Sequence, residues 1–253
     1  MGLFSFFSKK KNEKKAHNID VSLVKTDIHA HLLPALDDGS PDMEESVKMI
    51  EGMKVLGYEK LICTPHVMHG YYQNSSEIIL KTFKELKQAV AEKGIDIQLE
   101  VSAEYNFDRE LLKRLDDDDI ISFGNDDYQY LLFELSYFNE PMGLDNLIVK
   151  IKEKDYIPVL AHPERYPYFS GSREKYSALQ SKGVLFQMNI NSLSGLYPGG
   201  AKPTAEWLIE QGMVQFIASD AHRTEHVELL NESLKFECLH SLAESGQLMN
   251  PQV

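Results

Sequence analysis

Cysteine is scarce in this chain. Only Cys63 and Cys238 occur among 253 residues, far apart and without a C-x-x-C pair. That excludes a disulfide framework and fits a reducing cytoplasm. Positive charge is also short. Lys and Arg number 26 against 39 Asp and Glu, a formal net charge of -13. So acidic a chain is a poor general nucleic-acid binder, because such proteins neutralise phosphates with basic surface. No apolar run approaches the ~20 residues needed to cross a bilayer. Apolar residues as such are not lacking. At 43% hydrophobic, the chain can bury the core of one large α/β domain.

Residues 1–18 differ from the rest. Gly2-Leu3-Phe4-Ser5-Phe6-Phe7 is followed by Lys9, Lys10, Lys11, Lys14 and Lys15. The segment has no signal-peptide core or cleavage site, and Phe6 breaks the myristoylation pattern. Two readings stand: a frayed basic tail, or a weak anchor in which residues 2–15 contact the anionic inner membrane face. The expected division is therefore a tail over 1–18 and one domain over 19–253.

From there strand and helix signals alternate. Val21 to Thr26 reads as a strand delivering Asp27-Ile28-His29-Ala30-His31. Histidines two apart on a strand point the same way. Ser40-Pro41 opens a helix. Leu61-Ile62-Cys63 is a buried strand that ends at Thr64-Pro65-His66. Ser75 or Ser76 caps the next helix. Further strands are expected over 97–101, 130–134, 157–161, 184–190 and 214–218, with helices between them. The alternation implies parallel strands and crossover helices, as a barrel or a doubly wound sheet. The acidic run Asp116-Asp117-Asp118-Asp119 is a solvated turn.

Polar residues gather at the ends of these strands: His29 and His31, then His66, Glu104, Glu134, His162, and Asp220 with His222. The sixth strand offers Asn189 and Asn191 instead. In a parallel barrel all strand carboxyl ends open on one face, where active sites of this architecture lie. Buried strand-end carboxylates and imidazoles are costly unless paired, and cations resolve that cost. The residue pattern thus predicts a polynuclear metal site. Mixed imidazole and carboxylate ligands suit Mn, Fe or Zn alike.

These motifs, with Asp37-Asp38-Gly39-Ser40 and Ala161-His162-Pro163-Glu164-Arg165-Tyr166, resemble the PHP (polymerase and histidinol phosphatase) metallohydrolase superfamily. Within it they are most similar to the CpsB/YwqE branch of bacterial protein-tyrosine phosphatases. The resemblance runs from about residue 20 to about residue 225. It implies a distorted (β/α)7 barrel with three divalent ions at the strand carboxyl ends, manganese favoured. The implied ligands are His29, His31, Glu104 and Asp220 for the first ion; Glu104, Glu134 and His162 for the second; and Asp38, His66 and His222 for the third. Phosphotyrosine on a bacterial tyrosine kinase of capsule or exopolysaccharide export is the implied substrate.

The expected reaction is in-line attack of an ion-bridging hydroxide on phosphorus, with Arg165, Asp220 and His222 as the catalytic set. Arg165 would clamp the phosphate, and Arg223 is a second substrate-binding candidate. Asp27 is expected to orient a ligand histidine. A thiol mechanism is excluded, because His69 and Glu244, not Arg, stand six residues after Cys63 and Cys238. The alternative enzyme is a small-molecule phosphoesterase of the histidinol-phosphatase type. A third reading is a binding module without catalysis. The expected location is cytoplasmic, at the inner membrane surface if the tail anchors. The oligomeric state is left open.

Overall fold

The computed structural model describes residues 21–169 and 171–253. The tail at 1–18 and its boundary lie outside the described residues. Strand β1 spans Thr26–Ala30, followed by helix α1 over Met43–Leu56. Then come β2 (Lys60–Cys63), β3 (His66–Val67), α2 (Ser76–Glu92), β4 (Gln98–Val101), β5 (Glu104–Asn106) and α3 (Arg109–Asp116). β6 (Phe123–Gly124) and β7 (Gln129–Glu134) precede α4 (Leu144–Glu153), β8 (Ile157–Ala161), α5 (Arg173–Ser181) and β9 (Leu185–Asn189). The chain closes with α6 (Ala201–Glu210), β10 (Phe216–Ala218), α7 (Thr224–Ser233) and α8 (Glu237–Glu244). No described helix is long and apolar enough to cross a membrane.

The strands pair in parallel, and spatial order follows chain order. β2 and β3 are one strand interrupted at Thr64-Pro65, and β4 and β5 are another interrupted at Ser102-Ala103. The pairs β2–β4 and β3–β5 keep the same neighbours on either side of the breaks. β5, β7, β8, β9 and β10 continue the sheet, with β6 a short antiparallel appendage. The last strand returns to the first. Ala30 bridges Ala221, His31 N–H donates to the Ala221 carbonyl at 2.9 Å, and Asp220 N–H donates to the His29 carbonyl at 2.9 Å. Seven strands therefore ring one axis, the distorted (β/α)7 barrel that the resemblance implied. The short apolar strands suit burial on both faces.

Two packed regions hold this ring. The larger core lies between strands and helices, with Met49, Ile50, Leu86, Phe133, Leu160 and Leu208 among its fully buried members. A smaller cluster joins Ile28, Ile62, Phe123, Tyr130, Leu132, Val159, Ala161, Phe216 and Ala218. Along β7 and β10 these residues alternate with members of the larger core, and the same row continues into Glu134 and Asp220. Met249 and Val253 pack on this cluster. Asn250 stitches the chain's end to it, donating to the carbonyls of Thr26 (2.9 Å) and Ile217 (2.8 Å).

Two local expectations are corrected. The first strand begins at Thr26, not Val21. Val21–Leu23 forms a 3-10 turn, and Lys25 at φ 60° breaks the extended run. Helix α1 is capped by Asp42, whose side chain accepts from Glu45 N–H. Ser40 instead donates to the Asp42 carbonyl and receives the Ser46 hydroxyl. Ser75 caps α2 as one of the two expected serines, and Asp108 caps α3. The acidic run at 116–119 pairs with cations: Asp116 with Lys150, Asp118 with Lys154 and Asp119 with Arg114.

Candidate metal centre

β1 carries a register irregularity between Asp27 and Ala30. It lets Ile28 enter the inner apolar cluster while His29 and His31, of opposite parity, both reach the carboxyl end. Their Nε2 atoms lie 3.2 Å apart, buried completely. Glu104 Oε2 stands 3.2 Å from the first and 3.4 Å from the second. Asp220 Oδ1 stands 3.5 and 3.4 Å from the same two nitrogens. His66 Nδ1 is 3.0 Å from Glu104 Oε2 and 3.2 Å from Glu134 Oε1. His162 Nε2 is 3.0 Å from Glu104 Oε1. At the mouth, Asp38 Oδ1 lies 3.6 Å from Nε2 of both His66 and His222.

All nine expected ligand positions thus converge. Three overlapping groups can each hold one ion: His29, His31 and Asp220; His66, Glu104 and Glu134; and His31, Asp38, His66 and His222. These groups keep the expected companions together (His29, His31 and Asp220; Glu104 and Glu134; Asp38, His66 and His222), share further members, and leave His162 at their edge on Glu104. His66 faces the Glu104–Glu134 pair as well as Asp38, and His31 reaches toward the mouth.

The donor set fits divalent cations. His66 Nδ1, Glu104 Oε2 and Glu134 Oε1 are buried, yet none has a hydrogen-bond partner among the described residues. They are close enough to touch but misaligned for hydrogen bonds, and orphaned buried polar atoms are costly. Burial works against charged imidazoles. Even so, Glu104 and Asp220 raise the pKa of His29, and Asp37 with the same carboxylates raises His31 well above the histidine range. Glu104 and Asp220 are reciprocally held well below the carboxylate range, although burial opposes this. The pocket demands positive charge, from protons or from metal ions.

Supporting side chains fix the imidazoles. Asp37 Oδ2 lies 2.7 Å from His31 Nδ1 and accepts from His66 N–H at 2.9 Å. Gln187 Oε1 lies 2.8 Å from His29 Nδ1, and the Gln187 amide donates to Asn189 Oδ1. Asn189 in turn donates to Asp220 Oδ2 at 2.6 Å. Such partners set ring tautomer and orientation. The loop from His31 to Ser40 folds tightly on itself, with Ser40 N–H donating to the His31 carbonyl and Ala35 N–H to the Ser40 carbonyl. A Cβ added at Gly39 would sit 2.4 Å from His31 Cβ, so only glycine fits. His162 (φ 35°) and Asp220 (φ 50°) are left-handed, the strained turns that aim these side chains inward.

Several expectations change here. Asp27 accepts from Ser219 N–H and hydroxyl and meets His29 only at its backbone N–H. It ties β1 to the end of β10, and Asp37 and Gln187 orient the rings instead. Asn191 faces the His226 carbonyl and Ser233, so the Asn189–Asn191 pair divides. Its residues leave the strand where Ile190–Ser194 turns into a 3-10 helix.

Arg165 reaches the centre. Its Nη1 donates to Asp220 Oδ2 at 2.8 Å, while Nε and Nη2 have no protein partner among the described residues. The guanidinium lies between the rings of Tyr137, at 4.9 Å, and Tyr197, at 4.1 Å. Glu164 does not pair with it, accepting instead from Asn189 N–H and the Ser192 hydroxyl. Arg223 is exposed beside His222, and its side chain makes no hydrogen bond or ion pair among the described residues. The sequence reading missed Gln187, Tyr137 and Tyr197, since nothing in a lone Gln or Tyr marks a neighbour far along the chain. Neither thiol approaches nucleophilic form, as burial pushes Cys63 up to about 12 and raises Cys238.

A parallel seven-stranded barrel with His, Asp and Glu gathered at its carboxyl end is a barrel-enzyme site able to hold divalent ions. Residues 25–234 match the family model for capsular polysaccharide synthesis proteins CpsB/CapC. The chain belongs to that family. It is 28% identical over 231 residues to the tyrosine-protein phosphatase YwqE of Bacillus subtilis, covering 88% of this chain and 90% of that protein. It is 26% identical over 203 residues to the tyrosine-protein phosphatase CpsB of Streptococcus pneumoniae, covering 78% and 82%. A solved structure from a study of YwqE and CpsB, described there as metal-dependent tyrosine phosphatases, superposes with a TM-score of 0.73 at 28% identity. That match covers 87% of this chain and 91% of that one. A phosphotriesterase homology protein from Escherichia coli shares the fold alone, with a TM-score of 0.52 at 11% identity.

Proposed function

We propose that this chain is a metal-dependent phosphotyrosine protein phosphatase acting on a bacterial tyrosine kinase of capsule or exopolysaccharide synthesis. The observation that carries the reading is the shared buried cluster of His29, His31, His66, Glu104, Glu134, His162 and Asp220, with Asp38 and His222 at its mouth. The reading takes three divalent ions, manganese first. Bound there, they would lower the pKa of coordinated water and hold phosphate oxygens.

The chain's own residues supply the rest. Arg165 is fixed by Asp220 and flanked by two aromatic rings, which leaves Nε and Nη2 for the phosphate. A planar fork so held suits two phosphate oxygens and the charge that builds between them in the transition state. Asp220 and His222 complete the catalytic set, linking the deep group to the mouth, and Arg223 gives a second positive charge at the rim. Water adds to phosphorus as the phosphorus–oxygen bond to tyrosine breaks. The tyrosinate, with a pKa near ~10, needs little acid assistance to leave. The basic residues within 2–15 would bring a cytoplasmic enzyme to the anionic face where a membrane kinase sits.

The test strips the purified protein with chelator, restores Mn, and measures phosphate release from phosphotyrosine peptide, phosphoserine peptide and histidinol phosphate. Metal-dependent release from phosphotyrosine, lost in His162→Ala and Arg165→Ala, is expected. Preference for histidinol phosphate would replace the reading with a small-molecule phosphoesterase.

A further inference from the structure

Beside the metal centre lies a second feature that the phosphatase reading does not use. A surface cavity of about 340 Å³ runs between the loop after β7 and helix α5. Pro141, Leu144, Phe169 and Leu179 supply its apolar wall. Glu140 and Lys175, paired at 2.6 Å, stand at its edge. On the same loop, Phe138 is 92% and Met142 96% exposed, more than any other large apolar side chain described. Leaving two such side chains in water forfeits the gain of burying them.

Their position connects them to the centre. Tyr137, next to Phe138, stacks on His162 at 5.7 Å and lies under Arg165. From His162, ring contacts run to Tyr166 at 5.7 Å and from Tyr166 to Phe169 at 5.7 Å. The cavity wall is therefore two ring contacts from a metal-centre imidazole. Both bordering loops follow strand carboxyl ends, the end at which the centre lies, and the cavity runs from there along α5. One loop thus carries both Tyr137, on the centre's imidazole, and Glu140, Pro141 and Gly143, on the cavity, and offers a bound polypeptide a path from one to the other. An extended chain advances about 3.3 Å per residue.

We infer that the cavity with Phe138 and Met142 is a docking subsite for the substrate polypeptide, taking an apolar side chain two to four residues from the phosphotyrosine. The inference rests on the phosphatase reading and adds its sequence preference. Its occupant is an extended phosphotyrosine segment with an apolar flank. Its backbone can meet the polar cavity edge while the flanking side chain covers Phe138 and Met142.

The experiment measures kcat/KM of the metal-loaded full chain on paired phosphotyrosine peptides. One carries Leu at positions two to four from the phosphotyrosine, and the other carries Ser there. p-Nitrophenyl phosphate runs in parallel as the small substrate. Burying one such side chain predicts about a tenfold preference for the Leu peptide. Two variants test the place: Phe138→Ser with Met142→Ser, and Ala178→Phe, which fills the cavity from the exposed face of α5. Each should collapse the Leu-to-Ser ratio toward unity while p-nitrophenyl phosphate turnover reports a folded, loaded centre. Equal rates on the two peptides in the parent, or an undiminished ratio in both variants, would overturn the inference and leave the phosphatase reading intact. No turnover of p-nitrophenyl phosphate or either peptide would overturn that reading and this inference together.

Discussion

The two ends of the barrel's interior are equally dry and chemically opposite. Toward the amino ends of the strands sit Tyr130, Leu132, Val159 and Phe216, closed off by Met249, Asn250 and Val253. Toward the carboxyl ends sit His29, His31, Glu104, Glu134 and Asp220, each no more than 2% exposed. One end gains from burial, since removing apolar surface from water is favourable. The other is costly, because buried charge must be paired. The strand rows of β7 and β10 that pack the floor thus deliver Glu134 and Asp220, and the fold tolerates the buried ligands because they are mutually compensating and suited to cations.

Predictions that break one end should spare the other. The largest effect falls on the centre's hub. Glu104→Gln touches every deep histidine, and phosphotyrosine release should fall by roughly 10³-fold or more, with metal content falling in parallel by elemental analysis. Arg165→Ala should lower kcat by about 10²- to 10³-fold with metal content unchanged, separating clamp from ligands. Asp37→Asn should weaken metal affinity by about 10- to 100-fold, seen as a shift in the metal titration of activity. Leu132→Ala lies on the apolar side of the comparison. It should cost about 3 kcal/mol in denaturant unfolding while the folded fraction keeps its turnover. A large loss of turnover per folded molecule in Leu132→Ala would show that the two ends are not separable.

Much of this division was legible in the sequence, and the reason is periodicity. The strand-end residues announce themselves because short apolar runs stop abruptly at His66, Glu104, Glu134, His162 and Asp220. A parallel ring then brings all such ends together. Legibility stopped where contacts depend on local turns or distant partners. The left-handed Lys25 moved the start of β1, and Asp42 rather than Ser40 took the helix cap. Asp27 looked like a partner for histidine, yet the β1–β10 seam claims both its oxygens through Ser219 and the His29 backbone. Gln187 and Tyr197 support the site from β9 and the loop beyond it. Their roles follow from β9 lying beside β10, which no local pattern states.

The most direct measurement of the central claim is a joint count of bound metal and phosphotyrosine turnover on one preparation, before chelation, after it, and after metal is restored. More than one divalent ion per chain is expected, with ions and turnover lost together and regained together while the chain stays folded. Undiminished phosphotyrosine turnover by a folded, metal-free chain would contradict the account.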